Sequence, residues 1–472
     1  MKSPKSRRAL VALVVAVCAV ATITTACVRE KPEARKYVTD SEGRALILHG
    51  ANVSSAAKST PDHLPYQTEA DIERMGYGDW GMNLSRFILQ WQQVEPEPGV
   101  YDDAYLDAVA ERVQWFADNG IWVVLDMHQD IYGPAVGGNG APAWATRTDG
   151  IPSLPIGGPW WLQYLQPRVN RAFDHFWFDA DLREHYVAMW RHVAQRFAST
   201  PNVLGYDLMN EPYPGSRQSG FERDTLPAMY RDVIDGIREV DTDKWIWVEP
   251  RSFGVNQGLP SDLPKIEDPR DGEARIVYFP HLYTPEIDLA GKYTGDTTFF
   301  DIWATNRTHE QERLDAPMLI GEFGLSWGMP GAREWLREAL KVSDEIGGGW
   351  AYWSFETDSG PDNWGLISPT GEETPHVNEL SRTYARAVAG YPESMQLDPD
   401  TNTYRITFKE TGVTAPTEIF VPAARHYPDG FRVTSSDPDG AWTQSWDPDR
   451  QIVTVTSDPS QPSHTITVEP ED

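Results

Sequence analysis

The chain has 472 residues, with 41 basic and 70 acidic side chains and a formal net charge of −29. That balance excludes a nucleic-acid partner, which would need a clustered basic footprint, and none exists beyond the first eight residues. Hydrophobic residues make up 40% and charged residues 24%, which excludes a disordered chain and leaves length for two or three domains.

Residues 1–27 read as an export signal. Lys2, Lys5, Arg7 and Arg8 precede an Ala, Val and Leu run from Ala9 to Ala21, and Thr24, Thr25, Ala26 and Cys27 supply a small-residue cleavage site. A retained membrane anchor is the weaker reading, because the run is short and interrupted by Thr. Cleavage removes four basic residues and no acidic one, taking −29 to −33. Cys18 leaves with the signal, so the mature chain keeps Cys27 at most and forms no internal disulfide. Thr24-Thr25-Ala26-Cys27 resembles a bacterial lipoprotein box, which makes Cys27 a lipidation candidate, with plain cleavage nearby as the alternative. The mature protein is expected to be secreted, or held at the cell surface by lipid.

A polar linker (28–38) leads into short apolar runs separated by helical patterns. The runs are Ala45–Asn52, Asn83–Leu89, Ile121–Met127, Val203–Met209, Trp245–Glu249, Arg275–His281, Pro317–Glu322 and Gly349–Ser354. They are continuous and do not alternate, as strands buried on both faces do. Amphipathic segments lie between them, among them Tyr105–Ala117, Leu182–Phe197, Leu226–Val240 and Gly331–Ile346. Strand and helix alternating in this way predict an α/β fold, a (β/α)₈ TIM barrel over residues 39–392. An open doubly wound sheet would want a Gly-rich phosphate turn after the first strand, and the sequence has none. The third connection, Asp130 to Asp181, is about fifty residues long, rich in Gly and Trp, and expected to sit over the active face. From 393 to 472 the periodicity changes to alternating strands with Asp-Pro and Asp-Gly turns, which predicts an appended antiparallel β-sandwich acting as a buttress.

In a barrel, a polar residue closing a buried strand faces the active-site mouth. Leu208-Met209-Asn210-Glu211 and Leu319-Ile320-Gly321-Glu322 each bring a glutamate to that place, on strands four and seven. Two such carboxylates are what a retaining glycosidase needs, one as acid and base, the other as nucleophile. Asn210 is placed to donate to a sugar 2-hydroxyl, Tyr283 to hold the nucleophile ionised, and Trp353 to offer a flat face to the ring. His128 and Asp130 could share a metal, but no His-x-x-x-His or Cys cluster accompanies them, so no metal or other cofactor is expected.

Asn210-Glu211-Pro212, His281-Leu282-Tyr283, Gly321-Glu322-Phe323-Gly324 and Tyr352-Trp353-Ser354, in that order, resemble glycoside hydrolase family 5. Ser54–Lys58, Leu125–Asp130 and Gly138–Trp144 narrow the resemblance to the actinobacterial endoglycoceramidases of that family, which cut intact glycan from ceramide. The resemblance implies that Glu211 is the acid/base and Glu322 the nucleophile. It implies that Lys58, Asp126, His128, Asp130, Asn210, Tyr283 and Trp353 contact the glucose at the reducing end, that Trp160 lies near the sugar–lipid junction, and that Arg86 and His281 support the nucleophile. Phe355–Ser359 departs from the family pattern. The expected substrate is a glycosphingolipid in a micelle or membrane, met by a monomer in peripheral membrane contact. Its ceramide would lie in an apolar channel of Val136, Trp144, Trp160, Trp161, Leu325, Trp327 and Met329. A polysaccharide-cleaving endo-β-glucanase of the same family is the alternative enzyme, and a non-catalytic glycan- or lipid-binding surface protein the alternative class.

Overall fold

The computed structural model describes residues 36–356, 364–368 and 370–471. The export signal and Cys27 lie outside the described residues. Eight parallel strands make one sheet: β1 (Leu48–Val53), β2 (Leu84–Leu89), β3 (Trp122–Met127), β4 (Val203–Asp207), β5 (Trp245–Val248), β6 (Ile276–Tyr278), β7 (Ile320–Phe323) and β8 (Gly349–Tyr352). Their order is β6-β5-β4-β3-β2-β1-β8-β7, and a parallel bridge between Tyr278 and Met318 closes β6 onto β7, so the sheet is a barrel. All eight lie within the runs read from the sequence or one residue beyond. Nearly every strand position is buried, because barrel interior and surrounding helices cover both faces.

The helices follow the amphipathic segments: α1 (Asp103–Asp118), α3 (Ala180–Phe197), α4 (Leu226–Arg238) and α6 (Ala332–Ile346), with α5 (Thr298–Leu314) between the last two. Local chemistry sets their ends. Asp102 caps α1 by accepting from the Tyr105 amide at 3.0 Å, and Gly347, at φ 87°, ends α6 in the left-handed region that favours glycine. The end of the long third connection is a helix as well, α2 (Pro167–Phe178), whose Val169, Ala172, Phe173, Phe176 and Trp177 are buried. No helix among the described residues is long and apolar enough to cross a membrane.

The C-terminal unit is a sandwich of two antiparallel sheets. One holds β9 (Tyr384–Val388), β12 (Thr417–Phe420), β14 (Thr443–Asp447) and β15 (Ile452–Thr456), in the order β9-β12-β15-β14. The other holds β10 (Tyr391–Asp398), β11 (Thr403–Lys409), β13 (Phe431–Ser435) and β16 (Ser463–Pro470), in the order β10-β11-β16-β13. Two boundaries differ from the sequence reading. The sandwich begins at β9, before residue 393, and the sequence hid this because all five β9 positions are buried and show no alternation. The linker also ends early. Tyr37 and Val38 are buried, Tyr37 donates to Pro392 O at 3.0 Å, and Ala45–Leu46 adds a strand to β9 before the chain enters β1.

The sandwich packs under the strand N-termini, the end of the barrel opposite the glutamates. His49 lies between the rings of Trp350 and Tyr384, at 4.7 and 3.8 Å. Burial first, then Arg382 and Arg386, holds its imidazole well below the usual range, so it stays neutral in this joint. Arg386 donates to Gly120 O at 2.7 Å, and Arg425 pairs with Asp79 at 2.8 Å.

Candidate active site

Glu322 lies in β7, and Glu211 lies four residues beyond the end of β4. One oxygen from each, together with a ring nitrogen of His281, fall within 4.8 Å of one another. That spacing belongs to retaining glycosidases, whose carboxyls stand about 5–5.5 Å apart, and not to inverting ones, which leave room for water at about 6.5–9.5 Å.

The two carboxyls sit in different surroundings. Glu322 Oε1 accepts from Arg86 at 2.7 Å and Oε2 from the Tyr283 hydroxyl at 2.9 Å. Burial alone would raise Glu322, but His281 and Arg86 outweigh it and hold the carboxyl below its ordinary value, as a nucleophile requires. Glu211 accepts at Oε1 from Asn256 at 2.6 Å and from His281 Nδ1 at 3.1 Å, so no protein donor competes for Oε2 among the described residues. Burial, helped by the Glu322 and Glu249 charges, raises Glu211 despite the bond from His281. Two carboxyls pushed apart in this way are an acid and a nucleophile.

Arg86, fully buried on β2, joins the strands beneath them. It donates to Asp207 at 2.8 Å, Asn52 at 2.9 Å, Asn210 at 3.0 Å and Glu249 at 2.8 Å, and lies 3.0 Å from Asp126. Glu211 has a left-handed backbone, φ 47°. Its amide donates to Glu249 Oε2 at 2.8 Å, and Gln129 donates to the carbonyls of Asn210 and Glu211 at 3.0 Å, which hold that costly turn.

The remaining candidates form one polar wall. Asp126 Oδ2 takes His128 Nδ1 at 2.7 Å, and Asn210 Nδ2 reaches His128 Nε2 at 3.4 Å. Lys58 pairs with Asp130 at 2.7 Å and stands 4.1 Å over the Trp353 ring, which also stacks on His128 at 5.4 Å. Lys58, with His128, drives Asp130 far below the usual carboxylate range against the opposing effect of burial. These groups offer charged donors and acceptors beside a flat indole, the chemistry that grips sugar hydroxyls and a sugar face. The Lys58 ammonium fills the space beside Asp130 that a shared metal would need. Glu211, His281 and Glu322 could each give a metal one ligand atom. A separate cavity of about 700 Å³ opens on the barrel wall between α3 and α4, lined by Phe178, Arg183, Val187 and Asp232, where Arg183 and Asp232 pair at 3.0 Å.

Trp160 is outside this cluster, 56% exposed on a turn of the third connection with its ring 6.4 Å from Tyr164. On the Glu211 side, the half-buried Trp161 and Phe253 meet at 6.3 Å, and Phe253 rests on the core rings of Tyr164 and Tyr213 at 5.3 and 5.5 Å. The channel expected from apolar loop content is corrected in three places. Val136 and Leu325 are core residues, and Trp144 packs edge-on against Trp91 at 5.4 Å while donating to Glu95 O at 3.2 Å. Trp327 is 40% exposed and Met329 half-buried against the barrel core. Asn52, Asp207, Glu249 and Asn256 were absent from the sequence candidates. Of these, Glu249 carried a readable signal, since Trp245–Glu249 is a third apolar run that closes in glutamate.

Glu356, in the stretch that departs from the family pattern, is fully buried. It accepts from the Ala56 amide at 3.2 Å and touches the Gln67 amide, which ties the segment after β8 to the turn carrying Lys58. Burial pushes its carboxyl from an ordinary 4.5 up to about 8. The native protein therefore keeps this proton to about pH 8, while the unfolded chain releases it near 4.5. Its contribution to stability is complete below the lower value and is lost as pH rises through the upper one. Glu356→Gln should flatten the fall in melting temperature between pH 5 and 8; an equal fall in both proteins would show that another group causes it.

Comparison with known proteins agrees with this geometry. The family model described as Cellulase (glycosyl hydrolase family 5) matches residues 46–359, and that of the glycoside hydrolase family 5 C-terminal domain matches residues 382–468. Endoglycoceramidase I of Rhodococcus hoagii (strain 103S) is 32% identical over 458 residues, covering 90% of this chain and 85% of the relative. Endo-glycoceramidase II from Rhodococcus sp., solved as its ganglioside GM3 complex, superposes with TM-score 0.87 at 42% identity, over 93% of this chain and 100% of that one. The same enzyme solved as a lactosyl-enzyme intermediate superposes at 0.84 with 43% identity, over the same shares of the two chains. An endogalactoceramidase structure matches at 0.71 and 26% identity, over 94% and 100% of the two chains. With two glutamates on strands four and seven of a closed barrel and these relatives along nearly its whole length, the chain belongs to glycoside hydrolase family 5, in its endoglycoceramidase group, and is a retaining glycosidase.

Proposed function

We propose that this enzyme hydrolyses the β-glycosidic bond between an oligosaccharide and ceramide in glycosphingolipids. The observation that carries the reading is the division of the mouth. Lys58, Asp126, His128, Asp130, Asn210 and Trp353 make a hydrogen-bonding wall, and the half-buried Trp161 and Phe253 make an aromatic one on the side of the acid. A glycolipid, sugar at one end and hydrocarbon at the other, complements both walls.

Glu211 gives its proton to the ceramide oxygen while a Glu322 oxygen attacks the anomeric carbon. The sugar–ceramide bond breaks and a glycosyl ester on Glu322 forms. Glu211, now an anion, takes a proton from water as that water attacks the anomeric carbon and Glu322 leaves as carboxylate. Two inversions at one carbon give net retention. Glucose-linked ceramides are proposed ahead of galactose-linked ones, supported by 42% identity to endo-glycoceramidase II against 26% to the endogalactoceramidase.

The enzyme is further proposed to act as a monomer outside the cell, against a membrane or micelle surface. The signal-like residues 1–27 support export, and the box ending in Cys27 supports a lipid anchor. Exposed Trp160, Leu154 and Leu165 on the third connection, with exposed Trp327 in the loop after β7, support contact with lipid. A fluorescent GM3-type ganglioside in mixed micelles should yield free oligosaccharide and intact ceramide. No release from the ganglioside, together with ready cleavage of cellulose or mannan, would replace this reading with the endo-β-glucanase one.

A further inference from the structure

Three strands, not two, close on glutamate at the mouth. The third, Glu249 just beyond β5, is buried and belongs to neither step of the reaction. Its Oε2 accepts the Glu211 amide at 2.8 Å. Its Oε1 accepts from Arg86 at 2.8 Å and lies 3.2 Å from His281 Nε2. The Tyr230 hydroxyl of α4 donates to the Glu249 carbonyl at 2.7 Å, which fixes this residue from behind.

His281 is held as closely. Trp303 of α5 donates to its carbonyl at 3.0 Å, and Gly321 leaves the space its ring occupies, since a Cβ there would stand 2.9 Å from His281 Cδ2. Three carboxyl groups face the ring, with Glu249 against Nε2 and Glu211 and Glu322 at 3.1 and 3.5 Å from Nδ1. Arg86 and Tyr283 complete the charged and titratable neighbours, the first through Glu249 and Glu322 and the second with its ring 6.4 Å away.

We infer that Glu249 is a positioning residue for the reaction: its carboxylate fixes the backbone turn that aims Glu211 and supplies the anion against which His281 stands between the two reacting glutamates. The chain of charge runs from the Glu249 carboxylate through the His281 imidazolium to Glu211 Oε1. Two donors on Oε1, Asn256 and His281, leave Oε2 as the oxygen that carries the proton to the leaving group. Burial would strip His281 of its charge, but Glu249 and Glu322 reverse that and hold the imidazolium well above the usual range. The imidazolium in turn keeps Glu322 ionised. Glu249 thus acts on both reacting groups without touching the sugar.

The inference rests on the glycosidase reading of the site, and its first readout needs no substrate. Nitrogen NMR of His281 in the full wild-type chain should show both ring nitrogens protonated at pH 7; a neutral ring there would overturn the inference. In Glu249→Gln the ring should lose its proton at a lower pH than in the wild type, because the opposing anion is gone. Glu211 then loses a like-charged neighbour, which lowers it, and the His281 cation, which raises it, so the two changes oppose each other on the acid. With the turn that aims Glu211 no longer anchored, kcat on the fluorescent ganglioside should fall about tenfold with KM little changed. A variant that folds, with unchanged kcat and an unchanged His281 titration, would reduce Glu249 to a packing role. If Glu249→Gln fails to fold, the wild-type titration still decides whether His281 carries its charge. Failure of ganglioside cleavage would leave the NMR result standing, so the two readings fail separately.

Discussion

Glu322→Gln is expected to lower ganglioside hydrolysis by about 10⁴-fold or more with the fold intact. The amide matches the carboxylate in shape and still offers an oxygen to Arg86 or Tyr283, which now meet Glu322 at 2.7 and 2.9 Å. It lacks the charge and nucleophilicity that form the glycosyl ester, and no second group stands ready to take over. Glu211 accepts from Asn256 and His281 and is raised toward its protonated form, while Glu249 is turned toward Arg86 and the Glu211 amide. Mass spectrometry gives the direct check. A 2-deoxy-2-fluoro-lactoside with a good leaving group should label the wild type at Glu322 and leave the variant unlabelled. Undiminished turnover, or a label on another residue, would mean the nucleophile lies elsewhere.

The legible part of the site was the part whose signal is local. Glu211 and Glu322 stood out because a carboxylate closing a buried apolar run is costly unless it is used, and the eight runs themselves needed only continuous Ile, Val, Leu and Trp. Glu249 carried the same signal at the end of Trp245–Val248, yet its partners come from β2, from beyond β4 and from beyond β6, and such convergence has no trace along one strand. Asn256 lies in a loop and acquires its role only when that loop folds over Glu211. The burial of β9 at every position concealed where the sandwich begins. Helix α2 was readable from the spacing of Val169, Ala172, Phe173, Phe176 and Trp177, and the Gly- and Trp-rich stretch before it drew it into the loop instead. Apolar loop residues were the least informative, since hydrophobicity says that Val136, Trp144 and Leu325 leave water and not whether they meet lipid or the barrel core.

Arg86→Met is expected to lower stability by about 3–5 kcal/mol or more, or to give insoluble protein, which makes it the most damaging single change to the fold around the site. The guanidinium is fully buried and is the one cation shared by Asp126, Asp207, Glu249 and Glu322. Burial pushes Asp207 well up even with Arg86 beside it. With Met in place of Arg86, several carboxyls face one another in a dry barrel, with His281 beside Glu249 and Glu322 and His128 beside Asp126 left to balance them. They must take up protons or admit water, and either outcome moves β2, β4, β5 and β7 at their active ends. Arg86→Lys separates charge from geometry. One ammonium cannot replace a fork that reaches Asn52, Asn210, Glu249 and Glu322 at once. That variant should fold close to wild type in denaturant midpoint and lose about 10²–10³ in kcat, because Glu322 and Asn210 are then no longer held to one position. Denaturant unfolding of both variants, read with kcat/KM on the ganglioside, checks the pair of outcomes. An Arg86→Met protein as stable as wild type would show that the carboxylates do not depend on this cation, and an Arg86→Lys protein with full activity would show that its charge alone suffices.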